Sequence, residues 1–207
     1  MVRAGGVALA LSLLIAAPAF AGEVFIGGFA HDSSVGVSGS PHEGNTYDYQ
    51  IGVRTNQLPT YGWVGHPMFY VKGQFNTDDR TNFYTAGFEW RKHLFHTKFY
   101  GDAGIGLAYV DGLDVYPGHF DPNVVPAANA TAAQIATYQQ TLHLYDERKA
   151  MGSQVVFNPN FSLGYDLTHD ISAEVSWEHY SNAGLGGRNP GMDNYGARLV
   201  YHFAGPF

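Results

Sequence analysis

The feature that most constrains the fold of this chain is an alternation of apolar and polar residues with a period of two. It recurs in eight segments bounded by turn-forming residues. The segments run over 23–30, 46–55, 63–74, 81–92, 96–109, 153–166, 170–181 and 192–203. A strand with this period places apolar side chains on one face of a sheet and polar side chains on the other. The alternation alone fits a soluble β-sandwich as well as a transmembrane β-barrel.

The N-terminus favours the barrel. Arg3 is followed by an apolar stretch over 4–16 and by the small-x-small sequence Ala19-Phe20-Ala21, which predicts a signal peptide over 1–21. Beyond it, no apolar run approaches the ~18 residues of a membrane helix. We therefore expect residues 22–207 to form a single all-β domain, an eight-stranded antiparallel transmembrane β-barrel in the cell outer membrane.

The connections between the segments support this prediction, because outer-membrane barrels have short inner turns and longer outer loops. The expected outer loops are 31–45, 75–80, 110–152 and 182–191, and the expected inner turns are 56–62, 93–95 and 167–169. The longest loop, 110–152, is rich in Ala and Gln over 127–140, which predicts a short helix over the barrel mouth. Side chains fill so narrow a barrel, so we do not expect a pore.

Composition excludes several functions. The formal charge is −7, so no basic surface is expected to bind nucleic acid. The chain has no cysteine, which excludes disulfides, thiolate zinc sites and cysteine nucleophiles. His93 and His96 flank a turn, but no third ligand lies nearby in the sequence, so we predict no metal site.

Three polar residues interrupt the apolar face at the outer ends of the last two strands. On the seventh strand the apolar residues have odd numbers, and His179 and Ser181 share this parity, so they lie on the same face. On the eighth strand Asp193 likewise shares the odd parity of the apolar residues. Positions i and i+2 of a strand lie about 6.5–7 Å apart on one side, and the two strands pair directly. The spacing predicts a catalytic triad in which Ser181 is the nucleophile, His179 the general base and Asp193 the orienting acid.

The loop between these strands offers hydrogen-bond donors for an oxyanion. We name Asn182, Gly184 and Asn189 as candidates for oxyanion stabilisation or substrate positioning. Glu178 adjoins the histidine but has inward parity, so it is a weak rival to Asp193 as the acid. We expect it in an interior charge network with Glu89, Arg91, Glu174 and Arg198.

The run His179-Tyr180-Ser181-Asn182-Ala183-Gly184-Leu185, with the stretch 189–193 after it, resembles the lipid A 3-O-deacylase (PagL) family of outer-membrane enzymes. The resemblance implies a serine esterase on an eight-stranded barrel that uses no cofactor and removes the ester-linked acyl chain at position 3 of lipid A. It implies the same roles for Ser181, His179 and Asp193, and a role in the oxyanion hole for Asn189. The partner would be lipid A, as lipopolysaccharide in the outer leaflet.

Two departures from that family leave alternatives open. The family's acid is typically Glu, and Asp193 is shorter by about 1.5 Å of reach. The loop 110–152 looks like an elaboration, which favours a non-catalytic small barrel whose outer loops bind a surface partner. A third alternative is an esterase that acts on phospholipid. The sequence also leaves open whether the protein forms a homodimer.

Overall fold

A computed structural model describes residues 21–38 and 41–203 of the chain. Eight strands account for most of these residues. They are β1 (Ala21–Ala30), β2 (Tyr47–Thr55), β3 (Met68–Asn76), β4 (Phe83–His93), β5 (Phe99–Val110), β6 (Val155–Asp166), β7 (Ile171–Tyr180) and β8 (Met192–His202). The predicted signal peptide lies outside the described residues except for Ala21, with which β1 begins.

The strands form a closed antiparallel barrel in chain order. Each strand pairs with its neighbours in sequence, and β8 pairs with β1 along the whole of Glu23 to Ala30, which closes the sheet. Closure leaves no strand edge unpaired, and a membrane-spanning sheet requires this because lipid offers its backbone no hydrogen bonds. The predicted fold class is therefore confirmed.

The third predicted strand is wrong at its beginning. Residues Pro59–Val64 form a 3-10 helix, and β3 begins only at Met68. Trp63 and Pro67, which share strand parity in the sequence, therefore lie in the inner turn. Gly65 and His66 have positive φ angles of +88° and +56°, which turn the chain just before Pro67, so β3 begins only after them. The inner turn before β3 is correspondingly longer than predicted.

The polar faces of the strands point into the barrel, where they form a network of buried charges. Arg54 is fully buried at its centre and forms salt bridges with four carboxylates. These belong to Glu23, Glu89, Asp102 and Glu174, with N–O distances of 2.7–2.9 Å. Buried ions are tolerated only when they are paired in this way. The filled interior leaves the apolar faces outside, where Leu107, Val175 and Leu199 are exposed.

The outer loops pack against one another at one end of the barrel. The long loop, residues 111–154, contains helix α1 (Ala132–Glu147), which begins and ends later than the predicted 127–140. It begins there because the Thr131 hydroxyl and the Gln134 side chain cap each other's backbone N–H groups. No helix among the described residues has the length and apolarity needed to cross a membrane.

A buried polar cluster ties this long loop to the first outer loop (residues 31–46). The Lys149 ammonium lies 2.6 Å from Asp32 Oδ1, and the Lys149 backbone N–H donates to Glu43 Oε1 at 2.8 Å. Glu43 also accepts from the backbone N–H of Thr81 in the second outer loop, at 2.9 Å. The cluster thus joins three outer loops into one cap over the barrel.

Candidate active site

The His179 and Asp193 side chains meet at the outer ends of β7 and β8. The two residues are direct partners in the strand register and lie on the outward face. Side chains of such partners have Cβ atoms about 4.5–5.5 Å apart. His179 Nδ1 lies 3.0 Å from Asp193 Oδ1, so the aspartate reaches the imidazole despite its short side chain.

Asp193 is completely buried although it belongs to the outward face, because the first outer loop folds over it. The backbone N–H groups of Val37 and Ser38 donate to its Oδ2 at 2.9 and 2.6 Å. The indole N–H of Trp177 donates to its Oδ1 at 2.7 Å. The carboxylate therefore accepts four hydrogen bonds, one of them from His179. Sequence reasoning missed the three other donors: no local pattern connects the first outer loop to β8.

Ser181 follows directly after β7 and stays attached to the sheet. Its backbone exchanges two hydrogen bonds with Phe157 of β6, at 2.7 and 3.1 Å, so the outward parity of β7 continues to this residue. Among the described residues, neither the Ser181 hydroxyl nor Nε2 of His179 makes a hydrogen bond. The structure thus brings the histidine and the acid together and leaves the serine and the histidine unbonded.

Gly191 makes room for the imidazole. It has φ +64°, and a Cβ at this position would lie 3.0 Å from Cε1 of His179. Any side chain here would press against the ring and strain the turn into β8.

The loop 182–191 is organised around the Asn182 side chain. Its amide donates to the carbonyl oxygens of Met151 and Arg188 at 2.8 and 2.7 Å. Its Oδ1 accepts from the Gly184 backbone N–H at 2.8 Å. Asn189 Oδ1 in turn accepts from the Asn182 backbone N–H at 3.0 Å. Within the described chain, the Asn189 amide nitrogen makes no hydrogen bond, so it alone of these three named residues keeps a side-chain donor free.

An apolar groove of about 880 Å³ lies on the outer wall, and its lining residues on β7 and β8 begin four residues from His179 and Asp193, toward the inner end of the barrel. The small residues among its lining are Gly27, Gly164, Ala173 and Ala197. Bulkier residues also line it, among them Ile26, Ile51, Leu163 and Leu199. The groove is therefore open to hydrocarbon and lies along the strands that carry His179 and Asp193.

Glu178 is not a partner of His179. It is buried inside the barrel, where its carboxylate contacts the Lys72 ammonium and accepts from Gln50 at 3.1 Å. Among the described residues, no three His, Asp or Glu side chains are grouped as metal ligands.

A closed eight-stranded barrel with an apolar exterior and a polar site on its outer wall defines an outer-membrane β-barrel protein. A family model described as lipid A 3-O-deacylase (PagL) matches residues 44–202. The chain therefore belongs to the lipid A 3-O-deacylase (PagL) family, whose members are outer-membrane esterases.

Solved structures of outer-membrane barrels are similar to this chain to different degrees. A crystal structure of the outer-membrane enzyme PagL has a TM-score of 0.53 and 16% sequence identity, and the match covers 87% of this chain and 99% of that one. The N-terminal β-barrel domain of Pseudomonas aeruginosa OprF has a TM-score of 0.44 and 12% identity, over 88% of this chain and 99% of that one. A search of curated protein sequences gives no match. Family membership favours the enzyme over the non-catalytic barrel.

Proposed function

We propose that this lipid A 3-O-deacylase uses Ser181 as nucleophile, His179 as general base and Asp193 as the orienting acid, on the barrel wall that faces lipid. The observation that carries the proposal is the 3.0 Å contact between His179 Nδ1 and Asp193 Oδ1 on the outward face. A carboxylate accepts hydrogen bonds only, so it favours the tautomer with a proton on Nδ1. The lone pair of Nε2 is then available to the Ser181 hydroxyl.

The reaction follows from these roles. Ser181 Oγ attacks the ester carbonyl carbon while its proton passes to His179 Nε2, and a tetrahedral intermediate with an oxyanion forms. The intermediate collapses, the bond between the carbonyl carbon and the sugar oxygen breaks, and the sugar hydroxyl leaves with the proton from His179. Water, deprotonated by the same imidazole, then hydrolyses the acyl-serine and releases the fatty acid. Within residues 21–38 and 41–203, the Ser181 hydroxyl has no competing hydrogen bond. Hydrogen bonds between a nucleophile and its base commonly tighten only when substrate is bound.

The oxyanion needs a donor close to Ser181. The Asn189 amide nitrogen makes no hydrogen bond within the described chain, so we assign it this role. The Asn182 amide donates to Arg188 in its own loop and to Met151 in the long outer loop, and its Oδ1 accepts from the Gly184 N–H, so we assign these two residues to holding the loop in place. Loss of one oxyanion donor typically lowers kcat about 10²–10³-fold.

Substrate access explains why the site lies outside the barrel. Paired charges around Arg54 fill the interior, so a lipid with several acyl chains cannot enter it. The ester of a lipid in the outer leaflet reaches the wall from the side instead. The apolar groove beside β7 and β8 is then in position to hold an acyl chain.

The experiment is mass spectrometry of lipid A from cells that produce either the wild-type protein or Ser181→Ala. We expect lipid A to lose the mass of one 3-linked acyl chain with the wild type only. Phospholipids from the same cells are the control, and lysophospholipid is not expected to accumulate. Deacylation by Ser181→Ala would refute the nucleophile, and lysophospholipid formed without deacylated lipid A would refute the substrate. Cross-linking in the same membranes shows whether the active form is a monomer or a homodimer.

A further inference from the structure

We propose that the first outer loop is part of the active site, because the backbone of residues 36–38 positions the Asp193 carboxylate for catalysis. The inference rests on the proposed function, since it gives this loop a role through the acid of the triad. It makes Gly36, Val37 and Ser38 positioning residues: the Ser38 hydroxyl lies 3.5 Å from His179 Nδ1, the ring nitrogen that does not exchange a proton with Ser181.

The hydrogen bonds to Asp193 divide evenly between its two oxygens. Oδ2 accepts two backbone N–H groups of the loop, from Val37 at 2.9 Å and Ser38 at 2.6 Å. Oδ1 accepts from two side chains of β7, the Trp177 indole at 2.7 Å and the His179 imidazole at 3.0 Å. Rotation of the carboxylate in either direction would break bonds on both sides. The loop therefore sets the direction in which Oδ1 faces the imidazole.

A second anchor fixes the loop itself to β8. The Ser33 backbone N–H donates to the Asp193 carbonyl oxygen at 2.7 Å. One residue farther along β8, Asn194 Oδ1 accepts from the Asp32 backbone N–H at 2.8 Å. The loop is thus held to the strand that carries the acid, and the cluster around Lys149 holds it to the long loop from the other side.

Gly36 allows the backbone to approach this closely. Its φ is +135°, and a Cβ would lie 2.5 Å from both Cγ and Oδ2 of Asp193. Real Cβ contacts are not that short, so a side chain here would displace either the loop or the carboxylate. Gly118, in the long outer loop, also has a positive φ of +65°, but a Cβ there would meet nothing within 4 Å. Gly118→Ala therefore places a Cβ at a positive φ without the contact to Asp193, and it serves as the control.

The arrangement also fits an aspartate better than the glutamate implied by the family resemblance. The short Asp193 side chain places its carboxylate directly against the loop backbone. The N–H groups of Val37 and Ser38 both donate to Oδ2 there. A longer acid would extend into the space that residues 36–38 occupy. The loop and the shorter acid are therefore complementary.

The test uses the purified full barrel with lipid A in detergent micelles, and measures kcat and KM for Gly36→Ala and Gly118→Ala. We expect Gly36→Ala to lower kcat about 10- to 100-fold with KM changed less than about twofold, as misplacement of a catalytic group predicts. Gly118→Ala should leave both constants unchanged. Ser38→Pro removes one backbone donor without adding a side chain at Gly36 and should lower kcat about 10-fold relative to Ser38→Ala, which removes only the hydroxyl near His179 Nδ1.

A double-mutant cycle separates positioning from a general structural effect. In an Asp193→Asn background, which already lacks the acid, adding Gly36→Ala should change kcat less than about twofold. Wild-type kcat in both Gly36→Ala and Ser38→Pro would overturn the inference, and so would full additivity with Asp193→Asn. If Ser181→Ala keeps its activity, the proposed function fails instead, so the two failures are distinguishable.

Discussion

The barrel contains a group of serine, histidine and carboxylate at each end, and in both groups the histidine lies on β7 or β8. At the outer end, His179 faces Asp193, and the Ser181 hydroxyl is unbonded among the described residues. At the inner end, Ser172 Oγ lies 2.6 Å from His202 Nε2, and His202 Nδ1 lies 3.1 Å from Glu23 Oε1. By distance alone, the inner group is the better triad.

The environment of each group favours the outer group as the catalytic one instead. Ser172 is buried inside the barrel with no exposed surface, and its hydroxyl donates to Asp166 Oδ1 at 2.8 Å. Because the hydroxyl proton goes to Asp166, His202 Nε2 must donate to Ser172 Oγ, the opposite of what a general base does. The outer group instead lies on the wall that meets lipid. The comparison teaches that access and proton direction, more than short distances, distinguish an active site from a structural network.

The most direct way to break this comparison is to remove each serine in turn. We expect Ser181→Ala to lower kcat at least about 10³-fold, because the nucleophile is lost. Ser172→Ala should keep kcat within about threefold, because Ser172 lies outside the site. Initial rates on lipid A in micelles measure both. Similar losses in the two variants would show that burial does not exclude the inner group.

Glu23 of the inner group belongs to the buried charge network around Arg54, and that network should contribute to stability. Arg54→Met leaves Glu23, Glu89, Asp102 and Glu174 without their shared cation, which should lower the free energy of unfolding by about 3–5 kcal/mol. Lys98→Met, which removes an exposed charge, should change the free energy of unfolding by less than about 0.5 kcal/mol. Urea unfolding in lipid vesicles measures both free energies. Equal free energies of unfolding for the wild type and Arg54→Met would contradict the stabilising role of Arg54.

The outer group can be sharpened by lengthening its acid. Asp193→Glu should lower kcat about 10-fold, because the longer side chain displaces the backbone donors at Val37 and Ser38. Asp193→Ala should lower kcat further, to about 10³-fold below the wild-type value. Wild-type or higher activity of the glutamate variant would show that the loop adapts to the acid of the family.

A smaller effect is expected where the first outer loop joins the barrel. Burial lowers the pKa of His31, but its hydrogen bonds to Asp48 and Glu43 outweigh burial and raise the pKa from 6.5 to about 9. A folded pKa above the unfolded value means that His31 stabilises fully below pH 6.5 and loses this contribution as the pH rises through about 9. Between pH 7 and 10 the loss is on the order of 2 kcal/mol.

The control for that effect is His31→Gln, which has no titrating ring. The difference in unfolding free energy between wild type and His31→Gln should shrink as the pH rises from 7 to 10. A constant difference would mean that His31 carries no charge in the folded protein at neutral pH.

Local patterns predicted most of the fold. Alternation identified all eight strands and their inward faces, since the side-chain direction in a strand depends only on residue parity. It failed at β3, where Trp63 and Pro67 share strand parity but lie in a turn. A period of two does not register the positive φ angles of Gly65 and His66, which turn the chain just before β3. It placed helix α1 about five residues too early, because composition does not register the Thr131 cap.

Part of the candidate site could also be predicted from the sequence, and part could not. His179, Ser181 and Asp193 could be selected from sequence because two paired strands place residues of known parity side by side. Val37 and Ser38 could not be assigned as donors to the acid, because which loop covers a strand end depends on how the outer loops pack. Trp177 lies on β7 with the parity of His179, but parity does not show that its indole turns toward Asp193. Sequence also could not show that the Asn182 amide donates to Met151 and Arg188, or that the Asn189 amide makes no hydrogen bond within the described chain.

By itself, the sequence determined eight strands and the side of the sheet on which an imidazole, a hydroxyl and a carboxylate lie, because strand periodicity is a property of neighbouring residues. Only the tertiary structure decided that the backbone of the first outer loop surrounds Asp193. That contact joins residues 155 positions apart, Ser38 and Asp193. It arises from the packing of the outer loops on the barrel, which no local pattern encodes.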